Sequence, residues 1–165
     1  MLKFIITPIE DEYIDSYWSA LDSVAREQHY LAFLKGPPRE MTRDFVKQNK
    51  EGNWPHLIAV HENEVIGWCD ISALDRPVFA HSGSLGIGVR KGYRGMGVGK
   101  ALLTEALRRA REKGLTRIEL TVREHNKAAI ALYQHVGFVI EGIHKNAVRI
   151  DGRYENHLSM ALLFE

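Results

Sequence analysis

The stretch RKGYRGMGVGKALL, Arg90 to Leu103, sets four glycines among basic residues and then turns into a helix-like pattern. Free backbone amides, positive charge and a helix start are the ingredients of an anion site. Spacing decides which kind. A Walker loop ending at Gly99-Lys100 requires glycine at position 94 and a hydroxyl at 101. Arg94 and Ala101 stand there instead, so the hydroxyl that would hold magnesium is missing. A dinucleotide fingerprint begun at Gly95 and Gly97 would need a third glycine where Lys100 stands, and a preceding strand early in a βαβ unit. The pattern that fits is R-x-x-G-x-G, Arg94-Gly95-Met96-Gly97-Val98-Gly99. Its glycines bend freely and lack a β-carbon, so successive N–H groups can approach phosphate oxygens. Lys100 and Arg94 add charge to a site whose backbone donors carry most of the binding.

Working outward, Val98 to Lys113 places Leu102, Leu103, Ala106, Leu107 and Ala110 on one side and Arg and Glu on the other. This predicts an amphipathic helix that Gly114 stops. Before the loop, "SLGIGV" reads as a strand with two internal glycines, the mark of a bulge or a close backbone approach. After the helix, "TRIELTV" alternates as a strand, and Asn126 caps a helix running to about Val136, ended by Gly137. Further out, "KFIIT" reads as a strand. Asp11 to about Gln28 carries apolar residues at helical spacing, and Arg39 to Lys50 reads as a second helix behind the break "KGPPRE". "HLIAVHENEVIGWCDIS" is a hairpin, and the last 27 or so residues are two strands about Asp151-Gly152. The order predicts one mixed α/β domain, residues 1–165, with helices interspersed among largely antiparallel strands.

Composition narrows the class. The 165 residues suit one domain and bury a core without metal or disulfide. With 22 Lys+Arg against 21 Asp+Glu, neither nucleic acid nor a membrane surface is indicated as a partner. The lone Cys69 sits in a strand pattern and reads as a small buried hydrophobe, with no disulfide and a reducing compartment expected. No apolar run approaches the ~20 residues of a membrane span. The opening residues lack a signal-peptide core. A soluble, cytoplasmic protein is expected. His56, His61, His81, His135 and His144 show no ligand-like spacing, so no metal is assigned.

The loop, with "LTVREHNKAAIALYQHVGF" behind it, resembles the GNAT superfamily of acyl-CoA-dependent N-acetyltransferases. Asn126, Ala129, Tyr133, Gly137 and Phe138 match that family's second signature, N-x-x-A-x-x-x-Y-x-x-x-G-F. The likeness is most specific over residues 84–138 and looser elsewhere. It implies the GNAT fold: one mixed, mostly antiparallel sheet of about seven strands with about four helices and a splayed strand before the loop. It implies acetyl-CoA as donor, its diphosphate on Arg94 to Lys100 and its pantetheine along Ile87, Gly88 and Val89. Asn126 and Ala129 then belong to the same site. Asn126 and Tyr133, two helical turns apart, share a face toward the ligand, while Ile130, Leu132 and Val136 pack.

The implied reaction moves acetyl from acetyl-CoA directly to a primary amine. A lysine-type amine is neutral in only about one molecule in 10³ at pH 7, and an α-amine in about one in ten, so removal of a proton matters. By the resemblance, Tyr133 protonates the departing thiolate and Val89 N–H steadies the oxyanion. Relatives that act on ribosomal-protein N-termini carry Glu where Thr121 stands here. Thr takes no proton at neutral pH. Glu119, two residues earlier on the same strand face, is a candidate base acting directly or through water. Asp70 and His125 are others, and for an α-amine ordered water alone could serve. The helix and loop "DSVAREQHYLAFLKGPP" resemble the acceptor cover of enzymes acting on small amines, with Glu27 and Tyr30 as its contacts. The expected acceptor is a small amine, an amino acid or polyamine-like. A protein N-terminus is the second reading and a non-catalytic acyl-CoA sensor the third. Homodimers are common in the family, though nothing in this sequence fixes one.

Overall fold

The computed structural model describes residues 1–165. Seven strands form one sheet: β1 (Ile5–Pro8), β2 (His56–His61), β3 (Glu64–Ala73), β4 (Ser82–Val89), β5 (Arg117–Arg123), β6 (Val139–Ile150) and β7 (Arg153–Leu163). Four helices accompany them: α1 (Ile14–Ala25), α2 (Arg39–Glu51), α3 (Val98–Lys113) and α4 (Lys127–His135). The strand order is β1-β2-β3-β4-β5-β7-β6, with β4–β5 the one parallel pair. This is the mixed, mostly antiparallel architecture expected of the sequence. No helix is long and apolar enough to cross a membrane.

Strands β2 and β3 read as continuous apolar runs because both sheet faces are covered. Leu57, Ala59, Cys69 and Ile71 point into a core shared with α3. Ile58, Val60 and Trp68, one residue out of phase, point into a second core against α1 and α2. On α3, Leu102 and Leu103 are wholly buried, each worth about 1.5–3 kcal/mol of transfer from water. Gly114, at φ 95°, ends α3 with its N–H on Ala110 O and Arg111 O.

Helix α1 stops at Ala25, three residues before the expected Gln28. There the chain turns through φ 62° at Gln28 and crosses over the sheet toward α2. What that crossing covers is a split. β4 pairs with β5 only from Ser82 to Ser84, and β5 then follows β7 while β4 stays with β3. From Leu85 to Val89 one edge of β4 has no strand partner.

Candidate active site

The split between β4 and β5 opens into a cavity of about 370 Å³. Ile87, Gly88 and Val89 line one wall, and Asn126, Ala129, Leu132 and Tyr133 of α4 line the other. Gly95, Gly97, Gly99 and Lys100 form its foot. Gly97, at φ 86°, is the N-cap of α3 and provides no side-chain cap. The N–H groups of Gly95 through Lys100 therefore donate to no protein acceptor, and the first helical bond runs from Ala101 N–H to Gly97 O at 3.0 Å. Six successive amides and the positive end of a helix dipole make a cradle for a diphosphate. A β-carbon added at Gly95 or Gly97 would meet no protein atom within 4 Å, so the space before the loop is open. Met96 and Val98 enter only through their amides: Met96 is exposed, and Val98 is buried in the core beneath the loop.

Arg94 lines the same cavity, with its guanidinium engaged by protein groups. Its Nη1 and Nη2 donate to Glu27 at 2.8 and 2.6 Å, and its Nε donates to Val89 O at 2.8 Å. Its guanidinium also lies 4.6 Å from the centre of the Tyr30 ring. Hydrogen bonding to Arg94 holds the Glu27 carboxyl below its ordinary range. Glu27 and Tyr30, expected to touch the acceptor, are both fastened to Arg94, and Tyr30 lines the first cavity. The loop's charge is thus largely neutralised by Glu27, which leaves attraction to the backbone donors and Lys100.

Tyr133 is 6% exposed, its ring 5.7 Å from that of Phe138. Burial pushes its phenol well above the ordinary value, so it stays protonated. Asn126 caps α4, its side chain accepting from Ala129 N–H at 3.3 Å. Leu132 packs against the core, as its helical position suggests, and also lines the cavity.

A second cavity, about 310 Å³, lies on the α1/α2 face of the sheet, and Ile87 lines both. Asp70 of β3 is at its wall, 7% exposed. Burial pushes its carboxyl up to about 7, with no hydrogen bond or neighbouring cation to counter the shift. Glu119 lines neither cavity. It is bonded by Arg117 Nε at 3.1 Å, on the stretch of β5 still adjoining β4, and so is placed away from both walls. His125 is exposed beside Glu155 and also lines neither of the two cavities.

One participant escaped sequence reading. Arg123, 3% exposed, sends Nη1 to Gln28 O at 2.7 Å and Nη2 to Leu31 O at 2.6 Å, and so holds the α1–α2 crossing to β5. An Arg at the end of a strand pattern gives no signal of that role. No group of three or more His, Cys, Asp or Glu side chains is arranged to hold a metal.

With the split strand, amide cradle and Tyr133 in place, the comparison with known proteins is direct. Residues 18–138 match the Acetyltransferase (GNAT) family, and the chain belongs to it. It is 34% identical over 106 residues to the L-amino acid N-acetyltransferase AaaT of Escherichia coli (strain K12), covering 64% of this chain and 65% of that one. It is 40% identical over 118 residues to the N-alpha-acetyltransferase RimI of Mycobacterium tuberculosis (strain ATCC 25618 / H37Rv), covering 70% and 69%. Similarity to the mycothiol acetyltransferase of Paenarthrobacter aurescens (strain TC1), 34% over 116 residues, covers 66% of this chain but 36% of that one. Among solved structures, the GNAT-family acetyltransferase of Streptococcus pneumoniae superposes with TM-score 0.90 at 31% identity, covering 98% of this chain and 100% of that one. A Sinorhizobium meliloti phosphinothricin acetyltransferase in complex with AcCoA shares the fold, with TM-score 0.90 at 22% identity, covering 99% of this chain and 89% of that one.

Proposed function

We propose that this protein is an N-acetyltransferase that moves an acetyl group from acetyl-CoA directly to a primary amine of a small molecule. The observation that carries the reading is the run of six unpartnered amides, Gly95 to Lys100, at the foot of a cleft that leads up the open edge of β4 to Tyr133. Acetyl-CoA fits those residues. The amides and Lys100 bind the diphosphate, the unpaired edge of Ile87 to Val89 bonds the pantetheine as a neighbouring strand would, and the thioester is what the donor supplies. In this reading Val89 N–H polarises the carbonyl and Tyr133 O–H hydrogen-bonds the leaving sulfur. The apolar surroundings that hold the Tyr133 proton also raise the pKa of a thiol nearby, so transfer between them stays feasible. No protein nucleophile is required.

The test separates binding from transfer. Titration calorimetry with CoA should show binding, and Gly97→Val should remove it. That variant should stay folded, because an added β-carbon meets no protein atom within 4 Å and the strain of positive φ is about 2 kcal/mol, small against the stability of a domain. Thiol release from acetyl-CoA with pooled small amines reads the chemistry. Undiminished CoA affinity in Gly97→Val would remove the loop from the site. Binding with no thiol release from any amine would favour an acyl-CoA sensor, and release with N-terminal peptides alone would favour a protein acceptor.

A further inference from the structure

The second cavity narrows the acceptor, given that the first holds the acyl donor. Of its 13 lining residues nine are hydrophobic, and Asp70 is the single charged one. Leu21 of α1, Leu31 and Phe33 of the crossing, Phe45 of α2 and Trp68 of β3 supply apolar walls. The arginines around it are engaged elsewhere, and Lys35 of the crossing, which has no acidic partner, is not among the lining residues. Arg39 and Arg43 reach Asp15, Arg94 is held by Glu27, and Arg123 by the crossing's carbonyls and Glu155. A carboxylate placed here would find no positive partner among the lining residues and would face Asp70 across an apolar space. A second ammonium would find no second anion.

Asp70 is oriented for an amine. It pairs in register with Gly86 of β4, where an added β-carbon would lie 3.3 Å from Oδ2, so glycine leaves the carboxylate against the β4 backbone one residue from Ile87. No protein group hydrogen-bonds it. A buried carboxylate with no donor calls for a cation or a proton. At about 310 Å³, the cavity is at the small end for ligand pockets and suits a compact body rather than a length of polypeptide.

We propose that the acceptor is a primary monoamine on an apolar, carboxylate-free body, its nitrogen held by Asp70 and its body between α1, α2 and Trp68. This departs from the amino acid or polyamine that the sequence suggested. Asp70 takes one proton from the bound ammonium. The neutral nitrogen attacks the thioester carbonyl carbon, the C–N bond forms and the C–S bond breaks. The sulfur leaves with its electron pair and takes the Tyr133 proton, which the proton shed by the new amide nitrogen replaces. Asp70 releases its proton to solvent, so one ammonium and one thioester give one amide, one thiol and one proton. With a carboxyl near 7, Asp70 is matched to this exchange at neutral pH.

The proposal rests on the acetyltransferase reading, and the experiment keeps the two apart. Calorimetry on the CoA-loaded protein compares 2-phenylethylamine, L-phenylalanine and 1,4-diaminobutane, and thiol release from acetyl-CoA compares their kcat/KM. 2-Phenylethylamine should bind and react at least about tenfold better than the other two, the size of effect one missing charge partner produces. Asp70→Asn should lower its kcat/KM about 100-fold and weaken its binding, with CoA affinity unchanged. Leu31→Arg, a substitution in a half-exposed segment, should shift preference toward L-phenylalanine. Equal or better binding of L-phenylalanine or 1,4-diaminobutane, or an unaffected Asp70→Asn, would overturn the proposal while leaving the enzyme standing. Absence of CoA binding would strike the donor reading, and the same amine series run on the unloaded protein would still decide the cavity.

Discussion

Tyr133 and Asp70 are buried acids facing different cavities, and burial serves each oppositely. For Tyr133 it keeps the phenol protonated, as the proposed acid requires. Its hydroxyl has no protein partner, so Tyr133→Phe strands nothing and should cost little stability. Turnover should fall about 100-fold at unchanged CoA affinity, read by steady-state kinetics beside calorimetry. Full activity would show that water protonates the sulfur. For Asp70 burial works against folding. Its folded carboxyl ionises at about 7, against about 3.9 in an unfolded chain. Between those values the folded state holds more protons, so Asp70 lowers stability progressively as pH rises from about 4 to about 7, and fully above that. Tyr17 of α1 faces it, its phenol held neutral by burial, and His56 stands opposite on β2, also kept uncharged near neutrality by burial. No charged side chain of α2 lines the cavity. Asp70→Asn should therefore gain Tm relative to wild type between pH 4 and pH 8 in thermal melts. A pH-independent difference would place the carboxyl at its ordinary value.

At the scale of elements, β4 is shaped by what packs on it as much as by what binds along it. The sequence reading takes the glycines of "SLGIGV" as room for ligand backbone contact. In the structure Gly88 lies under the Trp68 indole, and a β-carbon there would come within 2.3 Å of the ring. Trp68 is itself 2% exposed and edges Tyr17 with centroids 6.0 Å apart, so it has no easy escape. Gly88→Ala should cost about 1–3 kcal/mol by overpacking, a Tm fall of about 3–10 °C by differential scanning fluorimetry. Gly99→Ala is the control: its β-carbon finds only ordinary contacts at 3.6 and 3.8 Å, and alanine favours the helix. It should be neutral or stabilising. Equal losses in both variants would refute the Trp68 account.

Across the whole molecule, the α1–α2 crossing spans the two arms of the split sheet and is tied to each. Glu27 fastens it to Arg94 beside β4, and Arg123 of β5 holds the Gln28 and Leu31 carbonyls. Donor cleft and second cavity thus share one cover. Arg123→Ala removes both charge-assisted bonds to the crossing, about 1.5–3 kcal/mol each, together with the 3.3 Å contact to Glu155. Hydrogen exchange over residues 26–34 should quicken about 10–100-fold, while β2 and β3 keep their protection. Unchanged exchange would mean that Arg94 and Glu27 suffice to hold the crossing.

The amphipathic stripe and glycine stop place α3 at Val98–Lys113 from the sequence alone, as the Asn126 cap and Asp151-Gly152 turn place α4 and the last hairpin. Those signals are local: periodicity, capping and positive φ act within a few residues of the chain. The amide cradle is legible for the same reason, since it is backbone conformation written in glycine. The partners of Arg94 and Arg123 lie 67 and up to 95 residues away, and no spacing records such pairs. Nor does a strand pattern say that β5 will leave β4 after Ser84, or that Asp70 will face an apolar cavity without a donor. The sequence by itself determined the helices, strands and phosphate-sized loop; only tertiary packing decided which charges are neutralised and which one is buried without a partner, because burial and pairing are set by chain segments that meet after folding.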